Sequence, residues 1–132
     1  MNNKELEEQV KHLSTLLIYE KGFVCSVDML LKLGYLKKEA YESWRFGRIG
    51  YLEKVCNANL SKLSIINKAI RKIAFDLKLE KSSTSYEKYG KGVSRRLIFS
   101  KSGNRNIEDA YATHYLDKKR MNELKTTTLK NS

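Results

Sequence analysis

The sequence predicts an α+β protein that is predominantly helical and folds as a single domain. Its 132 residues suit one domain of ordinary size. It contains no proline, so its helices are free to run long. Apolar residues recur at helical spacing up to Glu80, and the pattern then changes to short alternating stretches that are typical of β-strands. We therefore expect one globular domain over residues 1–116 and a basic, mobile tail over residues 117–132.

Three helices are predicted in the first third of the chain. The steps between apolar residues predict a helix over residues 3–21, which Gly22 ends. Two shorter helices follow over residues 27–33 and 37–46. Their glycine-containing connection has the outline of a helix-turn-helix, but Trp44 is bulky for a DNA-reading face, and plain core packing explains the same pattern.

A long amphipathic helix over residues 59–79 is the predicted centre of the fold. A helix of this length spans roughly 30 Å, about the width of a small domain. One of its faces is apolar, and the opposite face carries Lys68, Arg71 and Lys72. Phe75 lies toward the basic side, so either a second layer packs against it or it is exposed among the cations.

Residues 84–101 are predicted to form a β-hairpin with a glycine-rich tip. Leu97 and Phe99 give this segment one apolar face. A basic hairpin beside a basic helix resembles the wing and helix of a winged-helix protein. A final short helix is predicted over residues 107–116.

Positive charge is concentrated in the later part of the chain, and the formal net charge is +11. Residues 1–36 carry four basic and five acidic side chains, whereas residues 37–132 carry 22 and 10. A potential of this sign favours nucleic acid, an anionic membrane or an acidic protein surface. The alternative is a solvated basic surface that has no such partner.

Twelve residues form the predicted nucleic-acid-binding set, because arginine and lysine pair with phosphates and tyrosine stacks on bases. They lie on the basic face of the long helix, near the end of the third helix, and around the hairpin. Trp44 and Phe75 are predicted as aromatic side chains for an interaction with a macromolecule. The twelve residues are Arg45, Arg48, Lys68, Arg71, Lys72, Lys88, Tyr89, Lys91, Arg95, Arg96, Lys101 and Arg105.

Neither a metal site nor a cofactor site is predicted. Cys25 and Cys56 are far apart in the sequence, and His12 and His114 do not complete the closely spaced ligand set of a zinc site. Free thiols in a reducing compartment are the simplest interpretation. The chain has no stretch like a signal peptide and no run of the ~20 apolar residues that a membrane span needs, so a cytoplasmic location is expected.

Catalysis is the weakest of the functional hypotheses. On a helix, Asp109 and His114 would be about 140° apart around the axis, so they would not converge on one face. No nucleotide-binding loop, zinc-protease motif or serine-hydrolase motif occurs in the sequence. We therefore predict no catalytic residue, and a small nuclease or transferase that uses His114 is the remaining enzymatic alternative.

Two stretches of the chain carry distinctive strings of residues. The first contains WRFGR, YLEKV and NLSKL, and the second contains FSKSG and AYATH. These strings are similar to those of a family of small bacterial proteins of uncharacterised function, over about residues 24–115. Gly50 stands where that pattern has proline. The resemblance implies a whole-domain unit with two clusters of signature residues, and it implies no activity, cofactor or catalytic residue.

Nucleic-acid binding in a regulatory role is the leading hypothesis from the sequence. The alternative is a protein-interaction or inhibitory module that docks on a nucleoprotein enzyme, because the same basic surface would suit an acidic partner. The sequence distinguishes neither DNA from RNA nor one oligomeric state from another.

Overall fold

Two long helices, α1 (Asn3–Lys21) and α4 (Leu60–Asp76), pack against each other and form the main layer of the fold. This computed structural model describes the backbone of residues 2–131 and the side chains of residues 2–127. The order of elements makes the protein α+β and predominantly helical, as the sequence predicts.

The packing of these helices follows from the spacing of their apolar residues. α1 buries Leu6 and Val10, and α4 buries Ile66 and Ile70. Gly22 ends α1 with a φ of 84°, a left-handed conformation that favours glycine. The long helices and their boundaries are therefore confirmed to within a few residues.

The two shorter helices are also confirmed as α2 (Ser26–Leu33) and α3 (Lys38–Arg45). A 3₁₀ turn (Leu52–Val55) links α3 to α4. The prediction that Trp44 is available to a partner is wrong, because its side chain is 0% exposed. The indole packs among aromatic rings of the core and donates its Nε1–H to the carbonyl of Ile98 at 2.8 Å.

A three-stranded antiparallel sheet covers one end of the helices. It consists of β1 (Phe23–Cys25), β2 (Glu80–Ser83) and β3 (Thr113–Leu116), with β3 in the centre. Both edge strands meet at the same central residue, since Val24 and Lys81 are both paired with Tyr115. The prediction of a helix over residues 107–116 is therefore wrong for residues 113–116, which form a strand.

The predicted hairpin over residues 84–101 is irregular. Its only bridge among the described residues joins Glu87 to Arg96, although the amide of Leu97 also donates to the carbonyl of Tyr86 at 2.8 Å. These residues do not join the sheet, so the segment is a looped hairpin rather than the paired wing that the sequence predicts.

Two further helices complete the chain, α5 (Arg105–Ala112) and α6 (Lys118–Asn131). α6 occupies the segment predicted as a mobile tail and packs against α1. Arg120 of α6 donates its Nε–H to the carbonyl of Tyr19 at 2.8 Å. The end of the predicted tail, comprising the side chains of residues 128–131 and all of residue 132, lies outside the described residues. Among the helices that are described, none is long and apolar enough to cross a membrane.

Candidate functional site

A groove runs along the outer face of α4 and is bounded by β2, by β3 and by the turn that leads into α5. Its larger part has a volume of about 910 Å³, and a smaller part of about 580 Å³ continues toward the end of α4. We call the two parts together the α4 groove. Its principal lining residues are Leu60, Ser64, Asn67, Lys68, Arg71, Lys72, Phe75, Lys78, Lys81, Lys101, Ser102, Asn106, Ile107, Asp109, Tyr111, Thr113 and Tyr115, together with Glu53.

The α4 groove is strongly basic. Among its described lining residues, six are lysine or arginine and two are carboxylates, Glu53 and Asp109. Four ion pairs occur within residues 2–127, and none of them includes a cation of the groove. The positive charge therefore has no ionic partner in the described part of the chain.

The cations converge because different elements point them at one surface. Lys68, Arg71 and Lys72 lie within about 100° of arc on α4, since each residue turns by about 100°. Lys81 joins them from β2, and Lys101 joins them from the turn before α5. The helix supplies one wall of the groove, and the sheet and the turn supply the other.

Hydrogen bonds to two half-buried glutamates fix the turn that carries Lys101. The carboxylate of Glu108 accepts from the amides of Phe99 and Ser100 at 3.0 and 2.7 Å, and from the Ser100 hydroxyl at 2.6 Å. Glu53 accepts from the amide of Lys101 at 3.0 Å. Charge-assisted bonds of this kind are stronger than neutral ones, so this wall of the groove is held in one geometry.

Tyr111 connects this turn to the floor of the groove. Its hydroxyl donates to the second carboxylate oxygen of Glu53 at 2.8 Å. Burial, reinforced by the Glu53 carboxylate, raises the pKa of Tyr111 far above its ordinary value, so the phenol stays protonated and keeps donating. The YLEKV and FSKSG strings thus meet through Glu53.

A second basic cluster lies where α3 ends against the looped hairpin. The guanidinium of Arg45 lies 3.9 Å from the ring centre of Tyr89 and 5.1 Å from that of Tyr86. Arg95 donates to the carbonyl of Gly47 at 2.7 Å. Arg45 and Arg95 therefore hold the hairpin against α3, which leaves less of each guanidinium available to an external phosphate.

The structure divides eleven of the twelve predicted binding residues into two groups, and Arg105 belongs to neither. Four of them line the α4 groove, while Arg105 is exposed at the start of α5 but does not line it. The groove also contains Lys78 and Lys81, which the predicted set omits. The four in the groove are Lys68, Arg71, Lys72 and Lys101, and the seven around the hairpin are Arg45, Arg48, Lys88, Tyr89, Lys91, Arg95 and Arg96.

His114 lies on the opposite face of β3 from the groove. Thr113 and Tyr115 line the groove, and successive residues of a strand point to opposite faces. The Nε2 of His114 is 2.9 Å from the hydroxyl of Tyr86, and its ring stacks on Phe23 with centres 5.2 Å apart. The residue is thus a half-buried packing partner, and its pKa is lowered by burial.

Replacing His114 with glutamine should flatten the pH dependence of stability below pH 6.5. Burial lowers the folded-state pKa of His114 below its ordinary value of 6.5, although the Asp28 carboxylate opposes the shift. The contribution of neutral His114 to the free energy of unfolding should therefore be complete above pH 6.5. It should decline as the pH falls through that value toward the lowered pKa, because the unfolded chain binds the proton more readily. Urea unfolding at about pH 7.5 and about pH 5 measures the difference. Equal pH slopes for parent and variant would contradict the assignment.

No protein-family model, curated protein or solved structure matches the chain. The resemblance to small bacterial proteins therefore remains a prediction, and the α4 groove is interpreted from its own geometry. Among the described residues, no group of three or more histidine, cysteine, aspartate or glutamate side chains is arranged to hold a metal ion.

Proposed function

We propose that the protein binds nucleic acid through the α4 groove, with its lysine and arginine side chains neutralising backbone phosphates. The observation that carries the proposal is the set of six cations on one concave surface, none of which has an ionic partner among the described residues. Nucleic-acid affinity arises largely from such contacts, because each neutralised phosphate releases condensed counterions.

The extent of the groove favours a polymer over a small anion. From Lys68 to the last residue of α4, Asp76, is eight residues, a rise of about 12 Å along the helix, and Lys78 lies just beyond that end. A single phosphate would contact only part of such a row, whereas a phosphodiester backbone presents charges along its whole length. The proposed ligand is therefore a nucleic-acid strand that runs along α4.

The proposal gives the chain a binding role, regulatory rather than catalytic, and places it in the cytoplasm. No histidine or cysteine is among the described residues that line the groove. Both cysteines are free, and burial raises the pKa of Cys25 to about 12 and that of Cys56 to about 11. A raised pKa disfavours the nucleophilic thiolate, which suits structural cysteines in a reducing compartment.

Removing groove cations should weaken nucleic-acid binding and its salt dependence. We expect the triple variant Lys68→Ala/Arg71→Ala/Lys81→Ala to lose roughly 100-fold in affinity at about 0.1 M salt, because each lost phosphate contact reduces the log–log slope by roughly 0.7 to 0.9. Fluorescence anisotropy with labelled single strands and duplexes at several salt concentrations measures both quantities.

The matched control removes three exposed cations from elsewhere, Lys4→Ala/Lys11→Ala/Lys38→Ala, and so changes the net charge equally. This control should retain most of the affinity. Equal losses in the two triple variants would show that only overall charge matters, and the α4 groove would then not be the site. Tight capture of an acidic protein, with no salt-sensitive binding of nucleic acid, would replace the proposal with the protein-docking alternative.

A further inference from the structure

We infer that the α4 groove takes single-stranded rather than duplex nucleic acid and that one unpaired base stacks on Phe75; this inference rests on the binding function proposed above. The ring of Phe75 is 82% exposed, an unusual position for a large apolar side chain. It lines the smaller part of the groove, where the sequence allowed either burial under a second layer or exposure among the cations. The structure places no such layer over it.

The surroundings of Phe75 suit a nucleotide. Lys68, Arg71 and Lys72 share its side of α4. Lys78 follows at the end of the helix, and Lys81 lines the groove from β2. An aromatic ring that stands among cations offers stacking to the base and charge to the phosphates on either side. A purely apolar partner would instead have to desolvate these charges without pairing them.

Stacking on Phe75 requires a base whose face is free. In a duplex each base is already covered by its neighbours above and below, so a side chain on the surface of the protein cannot reach a base face without unstacking the helix. In a single strand the faces are available, and every base has one, which gives affinity without sequence preference. The combination of exposed ring and basic groove therefore favours a single strand.

The backbone conformation at the end of α4 is consistent with a binding role for Phe75 and the cations around it. Lys78 has a φ of 56°, a left-handed conformation at a helix terminus where glycine is usual. The helix end is closed by hydrogen bonds from Leu79 to Ala74 at 2.9 Å and from Lys78 to Phe75 at 3.1 Å. The lysine costs stability at this position but adds a cation beside Phe75, which is the pattern expected where strain is kept for function.

Anisotropy titrations of Phe75→Ala should separate single strands from duplexes. With a labelled oligothymidine of about 20 nucleotides, we expect roughly tenfold weaker binding, since a base–aromatic stack is lost. Affinity for a duplex of the same length should not change. Val93→Ala is the matched control, because Val93 is 88% exposed and does not line the groove.

Phe75→Trp provides a direct spectroscopic test. The single natural tryptophan, Trp44, is buried, so an indole at position 75 would be the only exposed one and would emit at longer wavelength. Saturating oligothymidine should quench this emission while leaving that of Trp44 unchanged. Lys78→Gly is an independent test. Glycine adopts the left-handed conformation of this position without strain, so the unfolding temperature should rise, whereas the loss of one cation should weaken the single-strand complex.

Three results would overturn the inference. Unchanged single-strand affinity in Phe75→Ala, alongside salt-sensitive binding by the parent, would reject the stacking role and leave the proposed function intact. Equal losses for duplex and single strand would reject the preference for a single strand. Binding to phosphatidylglycerol vesicles that depends on Phe75, with no binding of either nucleic acid, would reject both proposals and identify a membrane surface as the partner.

Discussion

Replacing Trp44 with alanine is expected to destabilise the fold by about 3–5 kcal/mol. The indole is 0% exposed, and its ring centre lies 5.3 Å from that of Phe99 and 5.6 Å from that of Tyr86. The truncation would leave a cavity among these aromatic rings and would also leave the carbonyl of Ile98 without its 2.8 Å hydrogen bond. Urea unfolding followed by circular dichroism measures the loss, since the natural tryptophan signal disappears with the side chain.

Two controls identify the origin of this loss. Trp44→Phe retains an aromatic ring but not the Nε1–H donor, so it should cost about 1–3 kcal/mol. Phe75→Ala removes an aromatic side chain that is 82% exposed and should change the free energy of unfolding by less than about 0.5 kcal/mol. A Trp44→Ala protein as stable as its parent would show that α3 is not anchored by this residue.

Replacing Glu108 with alanine is expected to cost about 3 kcal/mol. Its carboxylate is the acceptor for the amides of Phe99 and Ser100 and for the Ser100 hydroxyl, and Ser100 is 1% exposed. Each buried donor left without an acceptor costs about 1–3 kcal/mol, although a water molecule that enters the space recovers part of this. Thermal unfolding monitored by circular dichroism gives the size of the effect.

Replacing Glu108 with alanine should also disorder part of the α4 groove. The segment held by Glu108 continues into Lys101, so loosening it removes one preordered cation from the groove wall. Glu108→Gln keeps the shape and one acceptor oxygen and should retain about half of the stability that alanine loses. Glu7→Ala is the control, because Glu7 is exposed on α1 far along the sequence from the turn. A Glu7→Ala variant as destabilised as Glu108→Ala would mean that hydrogen bonding at the turn is not the cause.

The helices could be predicted from the sequence because their signals are local. Apolar steps of three and four residues identify α1 and α4, and Gly22 and Gly34 mark helix ends with φ values of 84° and 82°. The helix of the predicted tail also had a local signal, since the side chain of Asp117 accepts from the amide of Arg120 at 2.9 Å in a capping contact.

The sheet could not be predicted because its signals are not local. Its strands are three or four residues long, and Phe23 is paired with Leu116, on a strand that lies far away in the sequence. Thr113–Leu116 continues an apolar pattern that is compatible with a helix. The segment is extended because it pairs with two other strands. Strand formation here depends on tertiary contacts.

The part of the candidate site that lies on α4 could be predicted from the sequence, and the part that depends on strand pairing could not. The helical face identifies Lys68, Arg71 and Lys72, since it depends on spacing alone. Lys81 reaches the groove only because β2 pairs with β3, and no periodicity in the sequence indicates that pairing. Likewise, the exposure of Phe75 depends on whether another layer covers α4, which is a property of the whole fold.

The direct junction between α5 and β3 has a consequence for how this protein can diverge. Ala112 is the last residue of the helix and Thr113 the first of the strand, so no loop is present to absorb a change in length. Inserting one residue there would invert the strand, turning His114 toward the α4 groove and Tyr115 away from it. Homologous sequences should therefore vary at this junction by substitution and keep its length constant, whereas insertions should collect at the exposed tip around Val93.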